Sequence, residues 1–299
     1  MINFSAPDYI WHHKLIMYFA QLQKDCPEIF QENRQLKSSY GLPGNFIWGG
    51  GRNIPPWSFC DCVKIVKEQQ EAGLQIKHVC TNGLLEKEHL TDTICNKWLK
   101  ELEREGDSVV VNSLLLKEHI EEHYPKYNII YSATKNLMTP EEHNNVHQMG
   151  YDTVLYYCHN HNEQILNAIK QPEKVEIICA EACVEFCPNR VQHYREIDKI
   201  LLGITTDSHQ IMECPHNKGS FNFYHNLKAY PNSSVTNDWV DYLHNTYGFT
   251  TFKIAGRDIP TFPTLEILTY YLIKPEYRDV IRLQLWGELE YVPNERYKM

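Results

Sequence analysis

Short runs of β-branched and aromatic residues alternate along this chain with stretches whose apolar positions recur every three or four residues, the order expected of an α/β protein. The pattern predicts strands at 45–50 (NFIWGG), 76–81, 108–113, 128–133, 153–158, 175–180, 233–237 and 250–256. Helical spacing occupies residues 58–73, 114–124, 139–150 and 162–170 between them. Thr139-Pro140-Glu141 reads as a helix start, and Ala72-Gly73 and Met149-Gly150 read as helix ends. Eight strand and helix units predict a closed parallel (β/α)8 TIM-like barrel over residues 45–275. A doubly wound open sheet is the alternative, because periodicity does not tell a closed sheet from an open one. Residues 1–44, with the amphipathic stretch YIWHHKLIMYFAQLQKDC, are predicted to be an N-terminal helical extension, and 276–299 a C-terminal tail, all within a single domain.

Composition narrows the function classes. A chain of 299 residues with 42% hydrophobic side chains can bury a sizeable core, and a net charge of −9 lacks the overall basic field of a nucleic-acid binder. No apolar run of about 18 residues is present to span a bilayer, and the N-terminal residues lack the basic start and apolar segment of a leader. The expectation is a soluble, cytoplasmic protein without a membrane partner. Ten cysteines are too sparse for a disulfide scaffold of this size, so a local group of them reads as a metal site.

That group is Cys179-x3-Cys183-x3-Cys187-Pro188, followed by Cys214-Pro215. If the residues after the strand are helical, positions four apart share one face and three thiolates converge, with Cys214 brought back as a fourth. Four thiolates without a matching histidine pattern suit a [4Fe–4S] cluster or, alternatively, Zn. Three close cysteines with a distant fourth, and Pro after two of them, favour iron–sulfur; ordinary buried thiols are the plain alternative. A radical-SAM loop is disfavoured by the second gap of three and by the position late in the barrel. The other six cysteines read as packing residues, with Cys158 reserved as a possible site residue.

In a parallel barrel the residues just past each strand build the active site. They include Arg52 and Asn53, Asn82, Asn112, Ser132 and Thr134, His159 and His161, Glu181 and Arg257. Arg52, Asn82, Asn112, Ser132, Lys253 and Arg257 are the candidate substrate-binding set, with Arg as a bidentate fork for a carboxylate or phosphate. His159 and His161 are the candidate catalytic residues for proton transfer. The accidental HNH at 159–161 lacks the context of a nuclease, and Gly49–Gly51 match no phosphate-loop pattern.

The layout resembles the peptidase U32 family. The resemblance rests on WGGGR at 48–52, the Asn-ended strands before residues 82 and 112, HYPKYNIIYSAT at 123–134, VEIICAEACVEFCPNR at 175–190 and GFTTFKIAGRDIPTFPTLEILTYYL at 248–272. It implies a (β/α)8 protein with Cys179, Cys183, Cys187 and Cys214 as cluster ligands. Members of that kind perform oxygen-independent hydroxylations, some with prephenate as the oxygen source. The cysteine spacing departs from members that modify RNA or quinones, so no substrate transfers. No nucleophile elbow or HExxH helix supports a protease. The leading expectation is a [4Fe–4S] oxidoreductase or hydroxylase acting on a small anionic substrate at the barrel mouth, with an electron or oxygen donor as partner. An RNA-modifying relative and a zinc-stabilised binding module are the alternatives.

Overall fold

The structure, a computed structural model, describes residues 1–51, 58–181, 183–206, 222–257 and 259–289. Within them, parallel strands β1 (Ile2–Pro7), β2 (Arg34–Gly41), β3 (Gln75–Cys80), β4 (Ser108–Val111), β5 (Asn128–Tyr131), β6 (Asp152–Val154), β7 (Val175–Cys179) and β8 (Thr251–Ile254) pair in sequence order and close through β1 on β8. The closure replaces the doubly wound alternative. Crossover helices α1 (His13–Asp25), α2 (Phe59–Glu71), α3 (Thr93–Leu102), α4 (Leu114–His123), α5 (Pro140–Gln148), α6 (Glu163–Ala168) and α7 (Arg190–Leu201) follow the first seven strands in turn. Short helices α8 (Phe223–Ala229) and α9 (Asn237–Tyr242) precede β8, and α10 (Thr261–Leu272) and α11 (Arg278–Leu289) complete the helical layer.

Two predicted strands are corrected. The barrel begins at Ile2, so residues 1–44 are no helical extension but β1, α1 and β2. The apolar run at 45–50 is the loop after β2, where Phe46 and Trp48 are buried and the Trp48 indole donates to the His89 carbonyl at 2.9 Å. Residues 233–237 likewise form a loop and the start of α9; the backbone N–H of Ser233 donates to Glu185 at 2.8 Å. An apolar run shorter than eight residues carries no period that separates a strand from a buried loop.

Strand alternation divides the core. Outward residues such as Ile2, Phe4, Ile76, Ile177, Phe252 and Ile254 pack under the helices. Inward, Tyr40, Val79, Val110, Ile130, Val154, Ile178 and Ala255 form an apolar ring inside the barrel. Ser5, Ser38, Lys77 and Glu176 also face inward and form a polar plug: Lys77 donates to Glu176 at 2.6 Å and to Ser5 at 2.9 Å, and the Ser5 and Ser38 hydroxyls lie 2.7 Å apart. Packing elsewhere is conventional. Thr139 caps α5 in a capping box with Glu142.

Candidate active site at the barrel mouth

A cleft of about 80 Å³ lies over the strand ends and opens to the surface. Its lining includes Tyr40 from β2, Thr81 after β3, Ser132 and Thr134 after β5, Glu181 and Arg190 after β7, Lys253 on β8 and Arg257 beyond it. Among the described residues the lining thus carries three cations, Arg190, Lys253 and Arg257, against the one carboxylate of Glu181, while Glu176 just below is shared by Lys253 and Lys77.

Lys253 rises from the wall of the barrel into the cleft. Its Nζ lies 3.6 Å from Glu176 and 4.0 Å from the centre of the Tyr40 ring. Burial pushes its amine down to about 8 against the opposing pull of Glu176, with Lys77 and Arg257 adding to the fall. Glu176, although fully enclosed, is held down to about 2, because the two ammonium groups and the Ser5 hydroxyl outweigh the cost of burying its charge. The interior therefore carries an ionised carboxylate between two amines, one of which reaches the cleft.

Arg257 donates to the Gly50 carbonyl at 2.7 Å, so the glycine loop after β2 and the turn after β8 share one guanidinium. Gly50 fits only without a side chain, since a Cβ there would stand 2.6 Å from Asp198 Oδ1 and 2.8 Å from the Thr81 backbone. The Asp198 carboxyl accepts from the Gly83 N–H at 2.9 Å, and burial raises it to about 7. The Thr81 hydroxyl is buried at the cleft without a hydrogen-bond partner. Ser132 accepts from the Thr134 backbone at 3.1 Å and lies 3.0 Å from its hydroxyl.

The segment after β7 is not helical: α7 starts only at Arg190, so the fourfold cysteine spacing does not put one face of a helix over the mouth. Ala180 adopts φ 56° and turns the chain as it leaves the strand; Phe186 repeats this at φ 50°. The turn brings Glu181 to Arg190 at 2.8 Å, and the Arg190 guanidinium stacks 4.1 Å over Tyr157. Glu181 also accepts from the Cys183 N–H at 3.1 Å, the Tyr157 hydroxyl donates to the Val184 carbonyl at 2.7 Å, and Cys158 Sγ accepts from the Phe186 N–H at 3.2 Å.

These contacts sort the sequence-predicted residues. Ser132, Lys253 and Arg257 meet in the cleft. Asn82 is buried as a tie, its amide donating to the Ile47 carbonyl at 2.8 Å and the Asp198 carbonyl at 3.3 Å, so it builds the wall. Asn112 is half-buried, and its carbonyl accepts from Lys135 at 3.2 Å. His161 hydrogen-bonds the Ser234 carbonyl at 2.6 Å and stacks on Trp239 at 4.3 Å, and His159 packs edge-on against Tyr156 at 5.1 Å; neither lines the cleft. Cys183 and Cys187 sit on the loop after β7, whereas Cys179 faces outward with Ile177, its thiol raised by burial beside Tyr271 of α10. Arg52 and Cys214 lie outside the described residues. Among the described residues no three His, Cys, Asp or Glu side chains are grouped to hold a metal ion. Arg190, Glu176, Thr81 and Asp198 were missed; only the inward parity of Glu176 within a hydrophobic strand could have marked one of them.

A solved structure has this fold. The chain is similar to "The Structure of the U32 Peptidase Mk0906", with a TM-score of 0.55 and 17% identity over 87% of this chain and 94% of that one. At that identity the likeness is one of architecture, and it agrees with the U32-like (β/α)8 expectation. No family model and no curated protein matches the chain. Among the described residues no helix is long and apolar enough to cross a membrane.

Proposed function

We propose that this chain is an enzyme that binds a small anionic organic molecule at the mouth of its barrel and moves protons on it. The observation that carries the reading is the excess of positive charge that the described residues place in the cleft, which Lys253 and Arg257 line together with Ser132 and Thr81. Arg257 suits a carboxylate or phosphate by its planar fork, and the hydroxyls fix the orientation of the anion. With its amine near 8, Lys253 is largely protonated at neutral pH and can both donate a proton to a developing negative charge and take it back. These groups replace His159 and His161 in the proton-transfer role.

The redox reading is a finer proposal on the same site. Cys179 does not fit it, because its thiol is packed in the helical layer against Tyr271. Cys183 and Cys187 do fit as sulfur donors, since both lie on the loop that Glu181 and Tyr157 hold beside the cleft, and Cys214 is the third candidate. A metal–sulfur centre bound there would supply electron transfer next to the anion. Nothing in the cleft favours RNA or a purely structural zinc module over a small anion.

Binding of small carboxylates and phosphates, followed by calorimetry, tests the reading. Arg257→Gln should weaken binding by about 2 kcal/mol, some thirtyfold, measured on protein shown to be folded, since the substitution also removes the bond to the Gly50 carbonyl. Unchanged affinity in a folded Arg257→Gln protein would reject the cleft as the anion site.

A further inference from the structure

Lys253 is the only amine among the described residues that lines the cleft, and its surroundings are unusual for a simple anion clamp. Its side chain is 12% exposed, and it shares the Glu176 carboxylate, 3.6 Å away, with Lys77. Lys77, by contrast, lies below the lining, donating to both Ser5 and Glu176. The Tyr40 ring covers one side of the Lys253 amine at 4.0 Å, leaving the cleft as its approach. A buried amine of this kind, with a guanidinium within electrostatic reach, offers a nucleophile and an anchor to one small molecule.

We propose that Lys253 forms an imine with the carbonyl carbon of a 2-oxo carboxylate whose carboxylate is held by Arg257. The inference rests on the anionic-substrate reading and gives it a substrate class. The neutral amine attacks the carbonyl carbon, a C–N bond forms, and the oxygen leaves as water while the C=N bond is made. Summed from the ammonium, the nitrogen gives up two protons to that oxygen and the product is an iminium with the same single positive charge. Nothing is oxidised or reduced. The net charge of the Lys77, Glu176 and Lys253 group is therefore the same before and after the step, and no buried charge is created or lost. The lowered proton affinity of Lys253 supplies the neutral amine: a fall from 10.5 to about 8 gives a fraction on the order of a hundredfold above that of an exposed lysine at neutral pH. The iminium in turn draws electrons from the neighbouring carbon, which makes the proton there, or a carboxylate on it, easier to remove.

Reductive trapping tests this on the full chain. The protein is incubated with pyruvate or 2-oxoglutarate and borohydride, and the adduct is located by peptide mapping. The expected result is one reduced adduct on Lys253, at least about tenfold above that on exposed Lys64 or Lys100, which are 79% and 71% exposed, and its loss in Lys253→Arg. The map on the parent protein locates the adduct even if that variant fails to fold. Lactate, which has the carboxylate without the carbonyl, separates the two ideas. If lactate binds in an Arg257-dependent way and the 2-oxo acids leave no adduct on Lys253, the imine is overturned and the anion site stands. If neither lactate nor a 2-oxo acid binds and none is trapped, both fall. Adducts spread evenly over surface lysines also overturn the imine.

Discussion

At the scale of single residues, the balance inside the barrel is set by one carboxylate. Glu176 faces two ammonium groups in a space with little water, so removing its charge strands both. Glu176→Gln is expected to cost about 3–5 kcal/mol of stability, read from urea denaturation, and to lower the amine of Lys253 further. A loss under about 1 kcal/mol would mean that the plug is more hydrated than its burial implies. The cysteines separate by position in the same way. Anaerobically purified Cys179→Ala should keep whatever iron and sulfide the parent carries, whereas Cys183→Ser and Cys187→Ser should lose them. Iron lost with Cys179 alone would reverse the assignment made from its outward face.

At the scale of elements, α5 and β6 share a polar contact that responds to acid. The Thr153 hydroxyl lies 2.7 Å from His143 Nδ1 and 3.0 Å from His147 Nε2, and burial holds both imidazoles down to about 4. His147 also opposes charge on His143, as His159 does to a lesser degree, and Lys174 opposes it on His147, while Glu142 and Glu173 favour charge on their respective imidazoles. Because the folded values lie below the ordinary 6.5, the unfolded chain binds more protons, and stability falls as pH drops from about 6.5 towards 4. The slope should approach 1 kcal/mol per pH unit per imidazole, and be flatter in a His143→Gln, His147→Gln double variant. Equal slopes in parent and variant would place the acid sensitivity elsewhere. The loop after β7 depends on its turn: Ala180→Val, β-branched at φ 56°, should cost about 1–3 kcal/mol and disturb the Glu181–Arg190 pair, whereas Ala180→Gly should be tolerated.

At the scale of the whole molecule, the barrel is held shut by β1 against β8, paired at Asn3–Thr251, Phe4–Phe252 and Ser5–Lys253. Deleting Ile2–Pro7 should therefore abolish cooperative unfolding, as monitored by near-ultraviolet circular dichroism, since it opens a sheet edge and removes Ser5 from the plug. Much of this architecture was legible in the chain. The six strands from Gln75 onward alternate with helices strongly enough to be placed within a few residues, and the class followed from their number and spacing. β1 and β2 were hidden because their inward positions Ser5 and Ser38 are polar for the sake of the plug, and the outward Ser39 is polar too, donating to Gln69 of α2, so RQLKSSYG reads as a turn. Ser132, Lys253 and Arg257 were found because the end of a strand is a local property. Local patterning thus determined the elements, the fold class and which residues stand at their ends. Only the closed barrel decided that Lys77 and Lys253 share Glu176, that Arg190 reaches Glu181 over Tyr157, and that Cys179 turns away from its neighbours: contacts across 99 or 77 residues of chain depend on closure, and the face of a strand that meets solvent or helix is fixed by its partners.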